Sequence, residues 1–345
     1  MRYIPFLIIL LLFRFGANAQ IQEKVYRNLV MEGGGIKGIA YGGALKELEQ
    51  RGVMQNIIRV AGTSAGAIQA SLVAVGYSAE EISDIIANTP IESFNDDGII
   101  SRGSKRLIKK YGWFQGDEFL KEIENRIFLR TGNINLTFAD LHQLAKTYPF
   151  RDLYVTGANL SSQQVEVFSH ETYPNMRVAD AVRISMSIPL YYRALWLSPE
   201  GKVVDEPTPS DKCSLFVDGG LLMNYPVEVF DSTKYLADNG GGNTSIFNEE
   251  TIGFRLERCE QIDHEIDQRS GIAPFEINDF GSYMSALSSV IMRNIHPPHA
   301  RDSERTVYIN DLGMSARVRK VPEEEKKLMM LSGQHGVSEF FQRFP

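Results

Sequence analysis

The sequence predicts an α/β protein built on a mainly parallel central sheet, and three observations carry that prediction. The chain has 345 residues, 43% of them hydrophobic, which is enough for a large core. Two strand-turn-helix units follow one another between Tyr26 and Gly76, and consecutive units of that kind build parallel sheets through right-handed crossovers. Further apolar runs at "DLYVTGANL", "QVEVFS", "SLFVDGG", "TIGFRLE" and "RTVYIND" supply more strands. No internal repeat and no linker divides the chain, so one domain over residues 20–345 is expected, with its motifs between about 27 and 341.

The first unit, "YRNLVMEGGGIKGIAYGGALKELEQRG", reads as a strand ending near Met31, a glycine loop and a helix. That helix turns Ile39, Leu45 and Leu48 to one side and stops at Gly52. The second, "IIRVAGTSAGAIQASLVAVGY", repeats the order with a tight turn at Ser64 and a helix ending near Gly76. Ser78 with Glu81 forms a capping box for a helix to about Asn88. Asp117 is expected to cap a helix ending before Gly132, and Thr137 with Asp140 opens another. "MRVADAVRISMS" is a helix stopped by Pro189, and "ADNGGGNTSIFNEE" a solvated connector.

The opening stretch "MRYIPFLIILLLFRFGANAQ" differs in kind. Arg2, an apolar run from Ile4 to Phe13 and Ala17-Asn18-Ala19 have the form of a cleaved leader over residues 1–19, so an exported protein starting at Gln20 is expected, with an uncleaved N-terminal anchor as the alternative. The run falls short of the roughly 20 apolar residues that span a bilayer. No cysteine stands at the cleavage point to carry a lipid anchor. A net charge of -7 argues against nucleic acid as the main partner. Cys213 and Cys259 form no zinc pattern, and export leaves a bridge between them open.

Ser64 sits in a G-x-S-x-G frame with Gly62 and Gly66, the form of a nucleophile elbow. "GGGIKG", Gly33 to Gly38, fits the dinucleotide fingerprint on paper, but the second strand runs into Gly62-Thr63-Ser64 where an acidic residue should hold a ribose. It is no P-loop, because no Gly-Lys-Ser/Thr follows. Successive backbone N–H groups at a helix start can instead hold an oxyanion, each donor being worth about 3 kcal/mol. For the base, His264, His296 and His299 come late enough for a Ser-acid-His order, yet none stands at a strand end. Asp218 does, followed by Gly219 and Gly220, and a carboxylate held within hydrogen-bond reach can take a serine proton.

In combination, G-G-G-x-K-G, then G-x-S-x-G, then D-G-G resembles the patatin-like phospholipases, lipid acyl hydrolases with a Ser-Asp dyad. "FADLHQL", "AVRISMSIPLYY", "DGGLLMNYPV" and "VPEEEKKLMMLSGQHGVSEFF" resemble secondary stretches of that family. The resemblance implies a three-layer α/β fold, Ser64 as nucleophile, Asp218 as base and the amides of Gly33, Gly34 and Gly35 as oxyanion hole, with Gly34 and Gly35 foremost. Lys37 takes the family's basic position, as an anion contact or as a brace. It further implies cleavage of fatty-acyl esters of phospholipids or lysophospholipids at a membrane or micelle surface, with neither metal nor cofactor. A late-histidine esterase and a non-catalytic lipid-binding protein are the alternatives. The stretch from Ile91 to Gln115 matches no family motif; there Lys105, Arg106, Lys109 and Lys110 interleave with Leu107, Ile108, Tyr111, Trp113 and Phe114, the composition of a lipid-surface segment or of an ordinary amphipathic helix.

Overall fold

The computed structural model describes residues 24–345 apart from 239–241, 270, 296 and 298. The expected leader, the glycine run at Gly240 and His296 lie outside the described residues.

The strands are β1 (Asn28–Met31), β2 (Arg59–Gly62), β3 (Gly112–Phe114), β4 (Asp152–Asn159), β5 (Gln164–Phe168), β6 (Leu190–Tyr192), β7 (Leu195–Leu197), β8 (Val203–Val204), β9 (Ser214–Asp218), β10 (Thr251–Glu257) and β11 (Thr306–Asn310). The helices are α1 (Ala40–Gln50), α2 (Ala65–Ala74), α3 (Ala79–Asn88), α4 (Ile100–Lys110), α5 (Asp117–Thr131), α6 (Phe138–Leu144), α7 (Val178–Ser185), α8 (Cys259–Ile266), α9 (Phe280–Ile295) and α10 (Glu323–Arg343). A nine-stranded sheet runs β11-β10-β1-β2-β4-β9-β7-β8, with β5 also on β4. From β11 to β4 every pairing is parallel, and beyond β4 every pairing is antiparallel. The expected α/β class and mainly parallel core are present.

Alternation along the strands sorts the core. Leu29 and Met31 of β1 and Val60 of β2 join the main apolar cluster with α1, α2, α7 and α10, while Val30, Ala61 and Tyr154 face the other way. There Tyr225, Phe230 and Tyr235 cover them, Phe230 meeting Tyr154 edge-on at 5.0 Å. β1 is buried throughout, so it reads as a continuous apolar run rather than an alternating one.

Local signals at both capping boxes, Ser78/Glu81 and Thr137/Asp140, match the helices they open. Asp117 is not the expected cap. The cap position is Gly116. The free N–H groups of Gly116, Asp117 and Glu118 instead donate to the carboxylate of Asp96 at 2.7, 2.7 and 3.1 Å. That partner is twenty residues upstream, beyond the reach of local pattern. Cys213 and Cys259 are both free thiols.

Candidate active site

β2 ends at Gly62 and the chain turns at once into α2, leaving Ser64 at the tip. Its backbone, φ 51 and ψ -120, is one that residues with a Cβ seldom adopt, and surrounding structure must hold it. The neighbouring glycines allow the close passage. A Cβ on Gly62 would lie 2.3 Å from the Gly66 carbonyl, and one on Gly66 would lie 2.1 Å from the Met31 oxygen. Ser64 N–H donates to Ser185 Oγ at 2.9 Å, and Thr63 Oγ1 meets Thr156 Oγ1 at 2.6 Å. The strained turn is therefore pinned to α7 and β4.

Register brings Asp218 to the same level. Gly62 pairs with Val155, so Ser64, two residues on, rises to the height of Gly157, and Gly157 pairs with Asp218 from the other side. β2 and β9 are one strand apart, about 10 Å between axes, a gap that two side chains leaning over β4 can close. The Ser64 side chain lies beside the Asp218 carboxyl and favours its ionised form. Asp218 Oδ1 also accepts from Gly220 N–H at 2.8 Å, and Asp218 N–H donates to the Ser187 carbonyl at 2.9 Å. The Ser187 hydroxyl in turn accepts from fully buried Arg183 at 2.6 Å. Both members of the pair are buried, Ser64 at 7% and Asp218 at 5% exposure. Burial pushes the Asp218 carboxyl up to about 7, against the lowering effect of the Gly220 N–H and of the neighbouring Ser64 side chain.

The glycine loop enters from β1. Of the amides expected to hold an oxyanion, that of Gly33 donates to the Asn224 carbonyl at 3.0 Å. The N–H groups of Gly34 and Gly35 find no acceptor among the described residues. Gly35 has φ +55, and a Cβ there would meet the Ala316 oxygen at 2.1 Å. Of the two parts expected for Lys37, anion contact or brace, the structure has it bracing the loop, its ammonium paired with the Asp311 carboxylate at 2.5 Å.

Residues without an assigned role in the sequence complete the frame. Asn224 donates to the Gly33 carbonyl at 3.0 Å and to Glu32 Oε1 at 3.2 Å, bolting the loop from the Asp218 side. Its only sequence signal is the Asn-x-Pro that follows Asp218-Gly219-Gly220. Glu32, 6% exposed, accepts from Leu256 N–H at 2.8 Å; burial raises its carboxyl to about 7 although Arg255 lies beside it. From the far side, the Ala316 carbonyl accepts from Ile36 N–H at 3.3 Å.

Ser64 lines a partly open apolar cavity walled by Ile39, Ile68, Leu72, Phe119, Ile123 and Met186 among others. At Leu72 the cavity has run the length of α2, and nearby the Tyr77 hydroxyl donates to the Arg126 carbonyl where Glu122 and Arg126 pair at 2.6 Å. His264 lies on α8 and His299 beside Arg301, both on the β10–β11 side of the sheet and away from β9. His142, Asp152 and His170 are a group among the described residues with ligand atoms within 4.8 Å of one another. Asp152 stands beside Arg59, at the opposite end of β2 from Ser64. The two imidazoles stack at 4.0 Å and 11°, so their in-plane lone pairs run side by side instead of converging on one ion.

A profile of the patatin-like phospholipases matches residues 29–231, from β1 past Asp218 and over more than half of the chain. The chain belongs to the patatin-like phospholipase family. An uncharacterized protein of Acanthamoeba polyphaga mimivirus is 30% identical to this patatin-like chain over 276 residues, 80% of the chain and 79% of that relative. A probable lipid hydrolase of Invertebrate iridescent virus 6 is 23% identical over 210 residues, 61% of the chain and 64% of the viral protein, slightly under two thirds of its length. Among solved structures, VipD from Legionella pneumophila superposes with a TM-score of 0.56 over 92% of the chain and 67% of VipD, at 17% identity, a likeness of fold. The patatin-like profile ends before α10 and before β10 and β11, the two strands that complete the sheet beside β1.

Proposed function

We propose that the protein is a metal-independent acyl hydrolase that cleaves fatty-acyl esters of phospholipids or lysophospholipids through an acyl-serine. The observation that carries this reading is Ser64, raised on a strained turn, set beside buried Asp218, and lining an apolar cavity. Asp218 takes the hydroxyl proton as Ser64 Oγ attacks the ester carbonyl carbon. The oxyanion forms against the N–H groups of Gly34 and Gly35. As it collapses, the carbonyl re-forms and the alcohol leaves with the proton from Asp218. Water then adds to the acyl-serine as Asp218 takes one of its protons, and the second intermediate collapses to the fatty acid while that proton returns to Ser64 Oγ. The test is fatty-acid release from phospholipid vesicles with a chelator present.

Because the base must be ionised, kcat/KM is expected to rise with pH along a limb centred near 7 and to level off above it. Glu32 titrates in the same range, so the profile is to be repeated on Glu32→Gln. A limb that stays near 7 in that variant assigns it to Asp218; a limb that disappears assigns it to Glu32.

A lipid surface as the site of action has support in α9. Phe280, Tyr283, Met284, Leu287 and Ile291 follow helical spacing and are all exposed, and Phe280 and Met284 share a cleft with Gly33, Gly34 and Arg317. The helix is tied down at its other end by Arg293, which pairs with Glu257 and Glu265. In α4, by contrast, Ile100 and Ile108 are exposed while Arg106 turns inward to Asp97, so that segment is only partly a free face. Replacing Phe280 and Leu287 together by Ser is expected to lower the ratio of vesicle hydrolysis to soluble short-chain ester hydrolysis about tenfold, a loss of roughly 1.4 kcal/mol of surface affinity. An unchanged ratio would show that α9 has no part in docking. The leader-like opening fits an exported enzyme acting from outside the cell or from a periplasm.

A further inference from the structure

The cleft between the glycine loop and α9 carries an uncompensated charge among the described residues that line it. Lys37 pairs with Asp311, Arg255 lies between Glu32 and Glu257 at 3.7 and 3.3 Å, and Arg293 pairs with Glu257 and Glu265. Asp302, also in the lining, is held by Arg305 at 2.9 Å. That leaves Arg317. It is exposed, and among the described residues its guanidinium has neither a carboxylate partner nor a hydrogen bond.

Many surface arginines are unpaired, so its position decides. The residues on either side of Arg317 are fixed against the glycine loop and the apolar cavity. The Ala316 carbonyl accepts from Ile36 N–H at 3.3 Å and closes over Gly35, while Val318 lines the cavity beside Ser64. Next along the chain, Arg319 pairs with Glu325 of α10 at 2.7 Å. Arg317 itself shares the cleft with Gly33 and Gly34, and its charge reaches the Tyr191 phenol. Its backbone is therefore held from both sides, next to the residue that closes over Gly35.

The glycine loop divides the two spaces. Gly35, Ile36, Gly38 and Ile39 line the apolar cavity, and Gly33, Gly34 and Lys37 line the cleft. An ester held at Ser64 with its acyl chain in the cavity has its alcohol side left to the cleft. In a glycerophospholipid the phosphate is only a few bonds from the ester oxygen on that side, and a guanidinium meets phosphate oxygens with two parallel N–H bonds. We propose that Arg317 binds the phosphate of the lipid whose ester is cleaved, and that it sets a preference for phospholipids and lysophospholipids over neutral glycerides. The hydrolytic step is unchanged, and the inference rests on Ser64 as the nucleophile and on the apolar cavity as the acyl site.

The test compares kcat/KM for oleoyl lysophosphatidylcholine and for monooleoylglycerol, which share the acyl chain and the ester and differ in the phosphocholine. Both are presented dilute in the same uncharged detergent micelles to the full chain, so that the phosphate of the cleaved molecule is read apart from the charge of a lipid surface. The wild type is expected to favour the lysophospholipid at least about tenfold, and Arg317→Gln to lower that ratio about tenfold. Arg317→Lys, which keeps the charge and loses the fork, is expected to fall between them. Each ratio is taken within one protein, so the folded fraction cancels. A wild-type ratio at or below one, or a ratio that Arg317→Gln does not move, overturns the proposal while leaving Ser64 as nucleophile. Hydrolysis of neither ester removes the acyl-hydrolase reading and this proposal with it.

Discussion

Ser64→Ala is expected to lower fatty-acid release from phospholipid vesicles by about 10⁴-fold or more, and Asp218→Asn to cause a loss of similar order, since members of one catalytic unit fail together. The pair is separable by stability. The Asp218 carboxyl titrates at about 7 in the fold, against about 3.9 in the unfolded chain, so the fold binds that proton more tightly. Stability from this group is complete below pH 4 and declines as pH rises toward 7, by on the order of a few kcal/mol in all. Asn cannot ionise, and its Oδ1 can still accept from Gly220. Asp218→Asn should therefore be inactive yet melt higher than wild type at pH 8, with the gain shrinking at pH 5. Ser64→Ala should show no such pH-dependent gain. Thermal unfolding at the two pH values checks it; a variant that melts lower than wild type at pH 8 would mean that Asp218 is held as a stabilising ion pair or acceptor instead of a poised base.

Gly66→Ala should have the largest effect on stability. The added methyl would lie 2.1 Å from the Met31 oxygen, 2.6 Å from the Met31 carbonyl carbon and 2.7 Å from the Glu32 oxygen. All are backbone atoms of the β1 end, and β1 is held by β10 on one side and β2 on the other, so nothing can swing aside. A loss of about 3 kcal/mol or more is expected, with the elbow displaced and hydrolysis lost together. Gly52→Ala is the control: φ there is +74 but nothing lies within 4 Å of the added methyl, so only backbone strain of about 1 kcal/mol enters. Equal melting temperatures for the two variants would show that β1 and α2 can part without penalty.

Much of this site was legible because its key parts are local. A strand, a G-x-S-x-G turn and a helix fix the elbow within about a dozen residues, and a strand end fixes Asp218. What pattern missed is what distance supplies. The amide of Gly33 donates to the Asn224 carbonyl, 191 positions on, and Lys37 pairs with Asp311, 274 positions on. Asp96, not Asp117, caps α5. β3, β6, β7 and β8 are two or three residues long, too short to show a period.

The placing of β1 in the middle of the sheet has a consequence for the making of the protein. Asn28 faces Thr251, its partner on β10, across 223 positions. At roughly 5–20 residues per second, a nascent β1 waits on the order of 10–40 s for that neighbour. The loop that continues from it waits longer, because Ala316 and Asp311 emerge later still. Through that interval the chain carries its serine but not the braced amides beside it. The order of synthesis would thus keep a lipid-cleaving chain silent while it is still on the ribosome, beside the membranes of the cell that makes it.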